Sequence, residues 1–204
     1  MKINKKKFIY LISPNKIESK FFNELIKILK LKKVSFFQLR LKNTSFKEKL
    51  LIGKKIKKIC KKYNTKFLIN DDVHLAKELN SDGCHLGQKD MHILEAKKYI
   101  KNKIIGITCH NSIKLVKAAV KNKADYLALG AFNTSKTKKT KYKANINLLK
   151  RIKKITKTPI VAIGGINSHN YQKILLNKAN FLAISGYIWK NKKLKPSEAI
   201  KYLK

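Results

Sequence analysis

The chain has 204 residues, which suits one domain or, at the upper limit, two small ones, and allows a sizeable buried core. Its 49 lysines and arginines against 11 aspartates and glutamates give a formal charge of +38, a balance that by itself favours a nucleic-acid or anionic-membrane partner. Only two of the basic residues are arginines, and the lysine comes with abundant isoleucine and asparagine, all of which have A/T-rich codons. We therefore interpret the charge as compositional bias and predict no nucleic-acid partner.

The cysteines and the N-terminal segment indicate the cellular compartment in which the protein works. Cys60, Cys84 and Cys109 lack the spacing of a metal or redox motif, which favours a reducing environment. The basic start is followed by an apolar run too short for the ~7–15 residues of a signal peptide. No segment approaches the ~18 apolar residues of a membrane span. We expect a cytoplasmic protein without a membrane partner.

Short apolar runs alternate with longer amphipathic ones along the chain, and this alternation predicts eight strand-helix units. Eight parallel strands of near-continuous apolar character predict an α/β fold, a (β/α)8 TIM barrel that forms a single domain over residues 1–204. A doubly wound open sheet is the alternative. The predicted strands are FIYLI from Phe8, VSFFQLRL from Val34, KFLIN from Lys66, GCHL from Gly83, IIGIT from Ile104, YLALG from Tyr126, IVAIG from Ile160 and FLAIS from Phe181.

Polar residues follow every predicted strand except the first, where a barrel carries its catalytic groups. After the second strand, period-2 geometry directs Gln38, Arg40 and Lys42 to one side, with Leu39 and Leu41 on the other. Buried cations require an anionic partner, since leaving them unpaired is costly. This pattern predicts a clamp for a diphosphate, and a solvated strand end is the alternative.

Four of the five aspartates lie around the third and fourth predicted strands. Asp71 and Asp90 follow these neighbouring strands, and one or two carboxylates completed by a substrate phosphate are the usual protein ligands of Mg2+. These two residues are the predicted metal ligands. Asp82 precedes its strand, so we place it at the opposite rim and exclude it. The alternative for Asn70, Asp71 and Asp90 is capping of a following helix, and Asp71 or Asp72 could simply begin the third helix.

The last three predicted strands lead into segments suited to a second phosphate. The loop Asn133–Lys139 supplies short hydroxyl donors and ammonium groups. Gly164 and Gly165, and then Ser185 and Gly186, stand where barrels frequently bind phosphate through backbone N–H groups. Tight turns that require glycine are the alternative for either pair.

Histidines accompany three of the strand ends, at His85, His110 and His169. Each is explained as well by a satisfied polar group as by a role in the site. No Ser-His-Asp or Cys-His arrangement can be defended from the sequence.

The ordered set QLRLK, INDDVHLA, DGCHLGQKD, GITCH, DYLALGAF, TSKTK, PIVAIGGI and AISGYIW resembles the thiamine phosphate synthase family from about Val34 to Trp189. The resemblance implies a small (β/α)8 enzyme in which Mg2+ is held by Asp71 and Asp90. The implied catalytic cations are Arg40, Lys42 and Lys138. The implied pyrimidine diphosphate site consists of Gln38, Arg40, Lys42, Asn70, Thr108 and Lys138. The implied thiazole phosphate site consists of Ser135, Lys136, Thr137, Gly165, Ile184 and Ser185.

The reaction implied by the resemblance is a Mg2+-dependent dissociative substitution. It condenses 4-amino-2-methyl-5-(diphosphooxymethyl)pyrimidine with thiazole phosphate to give thiamine phosphate and diphosphate. The chain departs from the family pattern at Leu41 (usually Glu), Asp72 (usually Arg), Thr108 (usually Ser) and the Thr134-Ser135 pair (usually Pro-Thr). Two alternatives stay open: a thiazole tautomerase of the same superfamily, which uses a histidine at the position of His110, and a polyanion-binding degenerate barrel.

Overall fold

The computed structural model describes residues 7–133 and 141–203. Eight parallel strands in this part of the chain close into a barrel in sequence order, with β8 returning to pair with β1. The predicted (β/α)8 fold is confirmed, and the open sheet is wrong because the first and last strands are hydrogen-bonded neighbours. The strands are β1 Ile9–Ile12, β2 Val34–Leu39, β3 Lys66–Asn70, β4 Gly83–Leu86, β5 Ile104–His110, β6 Tyr126–Gly130, β7 Ile160–Ile163 and β8 Phe181–Ile184.

Helices follow the strands and cover the outside of the barrel. None of those in the described residues is long and apolar enough to span a bilayer. A 3-10 turn, Ile200–Tyr202, follows the last helix. The helices are α1 Phe21–Lys30, α2 Phe46–Lys62, α3 Val73–Glu78, α4 Ile93–Tyr99, α5 Ile113–Lys121, α6 Ile146–Ile155, α7 Tyr171–Leu176, α8 Gly186–Trp189 and α9 Pro196–Ala199.

Side-chain caps define where several helices begin after the strand ends. The side chains of Ser45, Asp72, Ser112 and Asn145 each accept a hydrogen bond from a backbone N–H in the first turn of α2, α3, α5 and α6. These caps satisfy donors that have no partner within the helix. The capping alternative is therefore confirmed for Asp72, whose Oδ1 lies 2.9 Å from the Leu75 nitrogen.

Asp72 gives a direct test of this cap. Replacing it with alanine is expected to lower the free energy of unfolding by about 1 kcal/mol, because the Leu75 N–H loses its acceptor. Asp72→Asn keeps an acceptor and is expected to cost no more than a few tenths of that. Urea denaturation followed by circular dichroism measures both, and equal stabilities for the two variants would contradict the capping role.

Buried side chains form two layers, one between strands and helices and one inside the barrel. The interior layer is dominated by apolar and aromatic groups from alternate strand positions, as expected for a filled barrel. A Cβ atom at Gly106 would overlap the ring of Tyr126, so this glycine makes the space in which the phenol lies. The interior residues are Tyr10, Ile12, Phe36, Leu68, Tyr126, Ala128, Val161, Phe181 and Ala183.

Candidate active site

Two carboxyl groups meet at the carboxyl-terminal mouth of the barrel. Asp71 directly follows β3, Asp90 lies in the turn after β4, and the two carboxyl groups are close enough for the Asp90 charge to raise the pKa of Asp71. The backbone holds both in place: the Asp71 N–H donates to the His85 carbonyl at 2.8 Å, and the Gly87 N–H donates to Asp90 Oδ2 at 2.6 Å. Asp71 has a φ of 64°, a left-handed conformation that aspartate tolerates better than most residues.

The electrostatics of this pair favour a divalent cation. Burial of the carboxyl group, its hydrogen bond to Asp90 and the Asp90 charge raise the pKa of Asp71 to about 6, against the opposing effects of Asn70 and Arg40. Asp71 as a whole residue is nevertheless exposed, so a hydrated ion can reach it. Two neighbouring carboxyl groups resist being ionised at the same time, because their negative charges repel each other. A cation bound between them removes this repulsion.

The ligand count at the pair limits which kind of metal site it forms. No group of three or more histidine, cysteine and acidic side chains is placed to hold a metal within residues 7–133 and 141–203. Two carboxylates leave most of an octahedral shell to water and substrate oxygens, which is the common arrangement for Mg2+. The residues present therefore fit a Mg2+ ion that is shared with a phosphorylated substrate.

An amide relay connects β2 to the carboxyl pair. Gln38 is only 2 % exposed, and its Nε2 donates to Asn70 Oδ1 at 3.0 Å. The side chain of Asn70 also lies near the Asp71 carboxyl group, where it opposes the rise in the Asp71 pKa. Gln38 therefore orients Asn70 next to the carboxyl pair.

Arg40 lies at the same rim, but not for the reason that strand alternation predicts. Strand β2 ends at Leu39, so the predicted continuation of the strand to Leu41 is wrong, and Lys42 is exposed. Arg40 is held instead from the end of β1: its N–H donates to Ser13 Oγ at 2.9 Å and its Nη1 to Asn15 Oδ1 at 3.0 Å. The first strand end therefore does carry functional polar groups, contrary to the sequence-based expectation.

A chain of hydrogen bonds runs from inside the barrel to the mouth, and we call it the core hydrogen-bond chain. It joins the hydroxyls of Tyr10 and Tyr126 at 2.8 Å, Tyr126 and His85 Nδ1 at 2.9 Å, and His85 Nε2 and Thr108 Oγ1 at 2.8 Å. Burial lowers the pKa of His85 to about 4, with Asp90 opposing and Arg40 reinforcing the shift. Burial also raises the pKa values of both tyrosines well above their ordinary value.

Sequence reasoning missed the tyrosines of this chain and left His85 undecided. The structure shows His85 to be a satisfied polar group, bonded through both ring nitrogens. A signal was available for Tyr10 and Tyr126, because each lies in an apolar strand and a buried tyrosine hydroxyl usually needs a partner. The identity of that partner could not be read from either strand.

The ends of β7 and β8 contribute the other half of the mouth. Gly164 and Gly165 have φ values of 106° and 58°, so tight turns do require glycine here. Ile184 is buried in β8 beside β1, and the Ser185 hydroxyl donates to the Ser13 carbonyl at 3.2 Å. The predicted phosphate residues of the preceding loop, Ser135, Lys136, Thr137 and Lys138, lie outside the described residues.

The remaining candidates are separated by the fold. Asp82 accepts hydrogen bonds from Lys66 and from the Phe67 N–H at the amino end of β3, so its predicted place at the opposite rim is confirmed. His110 ends β5 and stacks on Tyr142 with the ring centroids 4.0 Å apart.

The predicted site residues in the described part of the chain form two arcs around the mouth of the barrel. One arc, at the ends of β2 to β5, carries Gln38, Arg40, Asn70, Asp71, Asp90 and Thr108. The facing arc, at the ends of β7 and β8, carries Gly165, Ile184 and Ser185.

The closed barrel and the polar groups at the carboxyl ends of its strands define the chain as a (β/α)8-barrel enzyme. Comparisons with known proteins specify the family. A model of the family described as thiamine monophosphate synthase matches residues 9–188. The thiamine-phosphate synthase of Pelagibacter ubique is 66% identical over 207 residues, which cover 100% of both chains. That of Erythrobacter litoralis is 36% identical over 186 residues, covering 89% of this chain and 87% of the relative.

A solved structure agrees with these relatives. The thiamine phosphate pyrophosphorylase from Pyrococcus furiosus superposes with a TM-score of 0.85 at 28% identity, covering 97% of this chain and 94% of that one. The chain belongs to the thiamine monophosphate synthase family. The family resemblance inferred from the motifs is confirmed, and the chain is an enzyme of the transferase class.

Proposed function

We propose that this chain is a Mg2+-dependent thiamine phosphate synthase, which joins the pyrimidine diphosphate to thiazole phosphate and releases diphosphate. The observation that carries the proposal is the close pair of Asp71 and Asp90 carboxyl groups at the mouth of the barrel, with the Arg40 charge acting on the same Asp71 carboxyl. Diphosphate is the leaving group that such a combination of metal ligands and guanidinium stabilises best. The names of the relatives support the same reaction.

The bond changes of this reaction need charge stabilisation more than proton transfer. The bond between the pyrimidine methylene carbon and the diphosphate oxygen breaks, and its electron pair leaves with the diphosphate. The thiazole nitrogen then supplies the pair for the new carbon–nitrogen bond. Bound Mg2+ supplies a positive charge that offsets the charge developing on the departing oxygens.

The chain's own side chains account for binding and orientation in this scheme. Arg40, held by Ser13 and Asn15, presents a planar donor group suited to phosphate oxygens. Gln38 orients the Asn70 amide, which lies near the Asp71 carboxyl group. His85 is not needed as a general base, which agrees with its buried, low-pKa ring.

The two arcs of the mouth suit two phosphorylated substrates that react with each other. The pyrimidine diphosphate occupies the β2–β5 arc in this proposal, and the thiazole phosphate binds near Gly165, Ile184 and Ser185. The loop residues Ser135, Lys136 and Thr137 complete the thiazole phosphate site, and Lys138 binds the diphosphate. Holding both reactants at one barrel mouth supplies proximity and orientation, which are large contributions to rate.

We also infer the setting in which the enzyme works. Its partners are the two small substrates, and its three cysteines are free and buried, which supports a reducing, cytoplasmic compartment. The eight strands close one barrel, which supports a single domain.

Direct assay of the purified protein tests the proposal. With both substrates and Mg2+, we expect thiamine phosphate and diphosphate in equal amounts. Excess EDTA is expected to lower the rate by at least about a hundredfold, the scale of losing a major electrostatic stabiliser, and added Mg2+ to restore it. Leaving out the thiazole phosphate is the control that separates synthesis from hydrolysis of the diphosphate.

Two results would count against the synthase. Absence of product above the protein-free rate, with the protein folded, would reject the reaction. Interconversion of thiazole phosphate tautomers without Mg2+ and without diphosphate release would instead favour the tautomerase alternative, with His110 as the residue to replace.

A further inference from the structure

The core hydrogen-bond chain has a direction that follows from counting its protons. Tyr10 and Tyr126 each carry one hydroxyl proton, neutral His85 carries one ring proton, and Thr108 carries one hydroxyl proton. Among the described residues, the Tyr10 hydroxyl has the Tyr126 hydroxyl as its one hydrogen-bond partner. Since Tyr10 lies at the inner end of the chain, its single proton must go to Tyr126 or to no acceptor.

An outward direction satisfies every buried donor. Tyr10 donates to Tyr126, Tyr126 donates to His85 Nδ1, and the proton on His85 Nε2 is donated to Thr108 Oγ1. The Thr108 oxygen has then accepted one hydrogen bond, and its own proton remains available. Thr108 is partly exposed at the mouth, so this proton can reach a bound substrate.

The inward direction leaves a buried donor without a partner. If Thr108 donates to Nε2, the ring proton is on Nδ1 and goes to Tyr126, which then donates to Tyr10. The Tyr10 proton has no acceptor, although the residue is only 2 % exposed. A doubly protonated His85 meets the same difficulty, because it also donates to Tyr126. An unsatisfied buried donor disfavours both states by roughly tenfold or more relative to the outward direction.

We propose that Tyr126 and His85 act as positioning residues for Thr108. Tyr126 holds His85 in the Nε2–H tautomer, and His85 in this tautomer makes the Thr108 hydroxyl a dedicated hydrogen-bond donor to the pyrimidine diphosphate. The ring packing supports a fixed geometry, because His85 stacks on Tyr126 at 5.6 Å and Tyr126 packs edge-on against Tyr10 at 5.7 Å. The identity of the substrate in this inference rests on the proposed function, whereas the tautomer does not.

A donor at Thr108 selects among the polar atoms of the substrate. Phosphate oxygens and pyrimidine ring nitrogens accept hydrogen bonds, whereas the exocyclic amino group donates them. Thr108 in the outward arrangement therefore binds an oxygen or a ring nitrogen and disfavours contact with the amino group. The buried Tyr126 thus controls the orientation of a substrate that it does not touch.

Nuclear magnetic resonance of protein labelled with 15N-histidine tests the tautomer without any substrate. Long-range proton–nitrogen correlations distinguish the protonated ring nitrogen from the bare one, and a His85→Gln sample assigns the signal. We expect Nε2 of His85 to carry the proton. A proton on Nδ1 in the wild-type protein would overturn the inference.

Two matched tyrosine variants test the cause of the tautomer. Tyr126→Phe removes the donor to Nδ1, so we expect a detectable Nδ1–H population and a KM for the pyrimidine diphosphate about three- to tenfold higher, within the range for loss of one hydrogen bond. The KM for thiazole phosphate is expected to change by less than about twofold. Tyr10→Phe removes a hydroxyl from the same core but leaves the bond from Tyr126 to Nδ1, and is expected to keep His85 as Nε2–H.

The outcomes separate this inference from the proposed function. A Tyr126→Phe protein that keeps a pure Nε2–H tautomer and the wild-type KM values would show that the tyrosine does not control His85, and would overturn the positioning role. An equal rise in both KM values would indicate general damage to the fold and would also overturn it. Wild-type protein that is Nε2–H but makes no thiamine phosphate would overturn the substrate and leave the tautomer established.

Discussion

Asp71→Asn is expected to lower turnover by about a hundred- to a thousandfold, the scale seen when one main stabiliser of developing charge is lost. The asparagine keeps the size of the side chain and tolerates the left-handed backbone at this position. It removes one of the two anionic ligands proposed for Mg2+. Calorimetric titration should therefore show weaker Mg2+ binding in the presence of diphosphate, together with the lower rate of thiamine phosphate formation.

Stability separates a catalytic role of Asp71 from a structural one. Burial, together with the neighbouring Asp90, raises the pKa of Asp71, so removing this charge is expected to leave the melting temperature unchanged or slightly higher. Asp72→Asn is the matched control, because it makes the same chemical change one residue later and keeps the cap of α3. Comparable losses of turnover in the two variants would contradict the assignment of Asp71 as a metal ligand.

Arg40→Gln is the second change with a large expected effect. It is expected to lower kcat/KM for the pyrimidine diphosphate by roughly ten- to a hundredfold, because hydrogen bonds to charged groups contribute about 1.5–3 kcal/mol. The glutamine keeps a donor for Asn15 but removes the cation. Initial rates at varied concentrations of each substrate would show whether the loss is confined to the pyrimidine diphosphate.

The chain offers its own control for this variant. Arg151, the other arginine, lies exposed on the outer helix α6, away from the strand ends. Arg151→Gln makes the same change in net charge and is expected to leave both KM values within about twofold. If Arg151→Gln weakened binding as much as Arg40→Gln, the effect would be one of overall charge, and the proposed contact at Arg40 would be refuted.

Much of the candidate site follows from the order of residues along the chain. In a parallel barrel the carboxyl ends of all strands face the same mouth, so locating a strand also locates the residues after it. This reasoning placed Asp71 after β3 and Asp90 after β4, and it placed Asp82 at the other rim. It was least reliable at strand limits, since β2 stops at Leu39 and β5 continues to His110.

Asp72 illustrates how a departure from the family pattern can have a local explanation. The family usually has arginine here, and an anion beside the proposed metal ligands counts against diphosphate binding. In the structure Asp72 caps α3 with Oδ1, a role that arginine has no acceptor atom to perform. The residue that stands out in the sequence therefore has a structural function of its own, independent of the metal pair.

The eight strand-helix units, the barrel class and the position of the acidic pair along the chain could all be predicted from the amino-acid sequence. They follow from hydrophobic periodicity and from the order of the residues, which are properties of short segments. Which polar groups meet depends on the tertiary structure. Tyr10 and Tyr126 are 116 residues apart and bond only because the barrel closes. Arg40 is held by Ser13 and Asn15 because β1 and β2 are neighbouring strands. Hydrogen bonds require positions within a few tenths of an ångström, and closure of the barrel sets those positions.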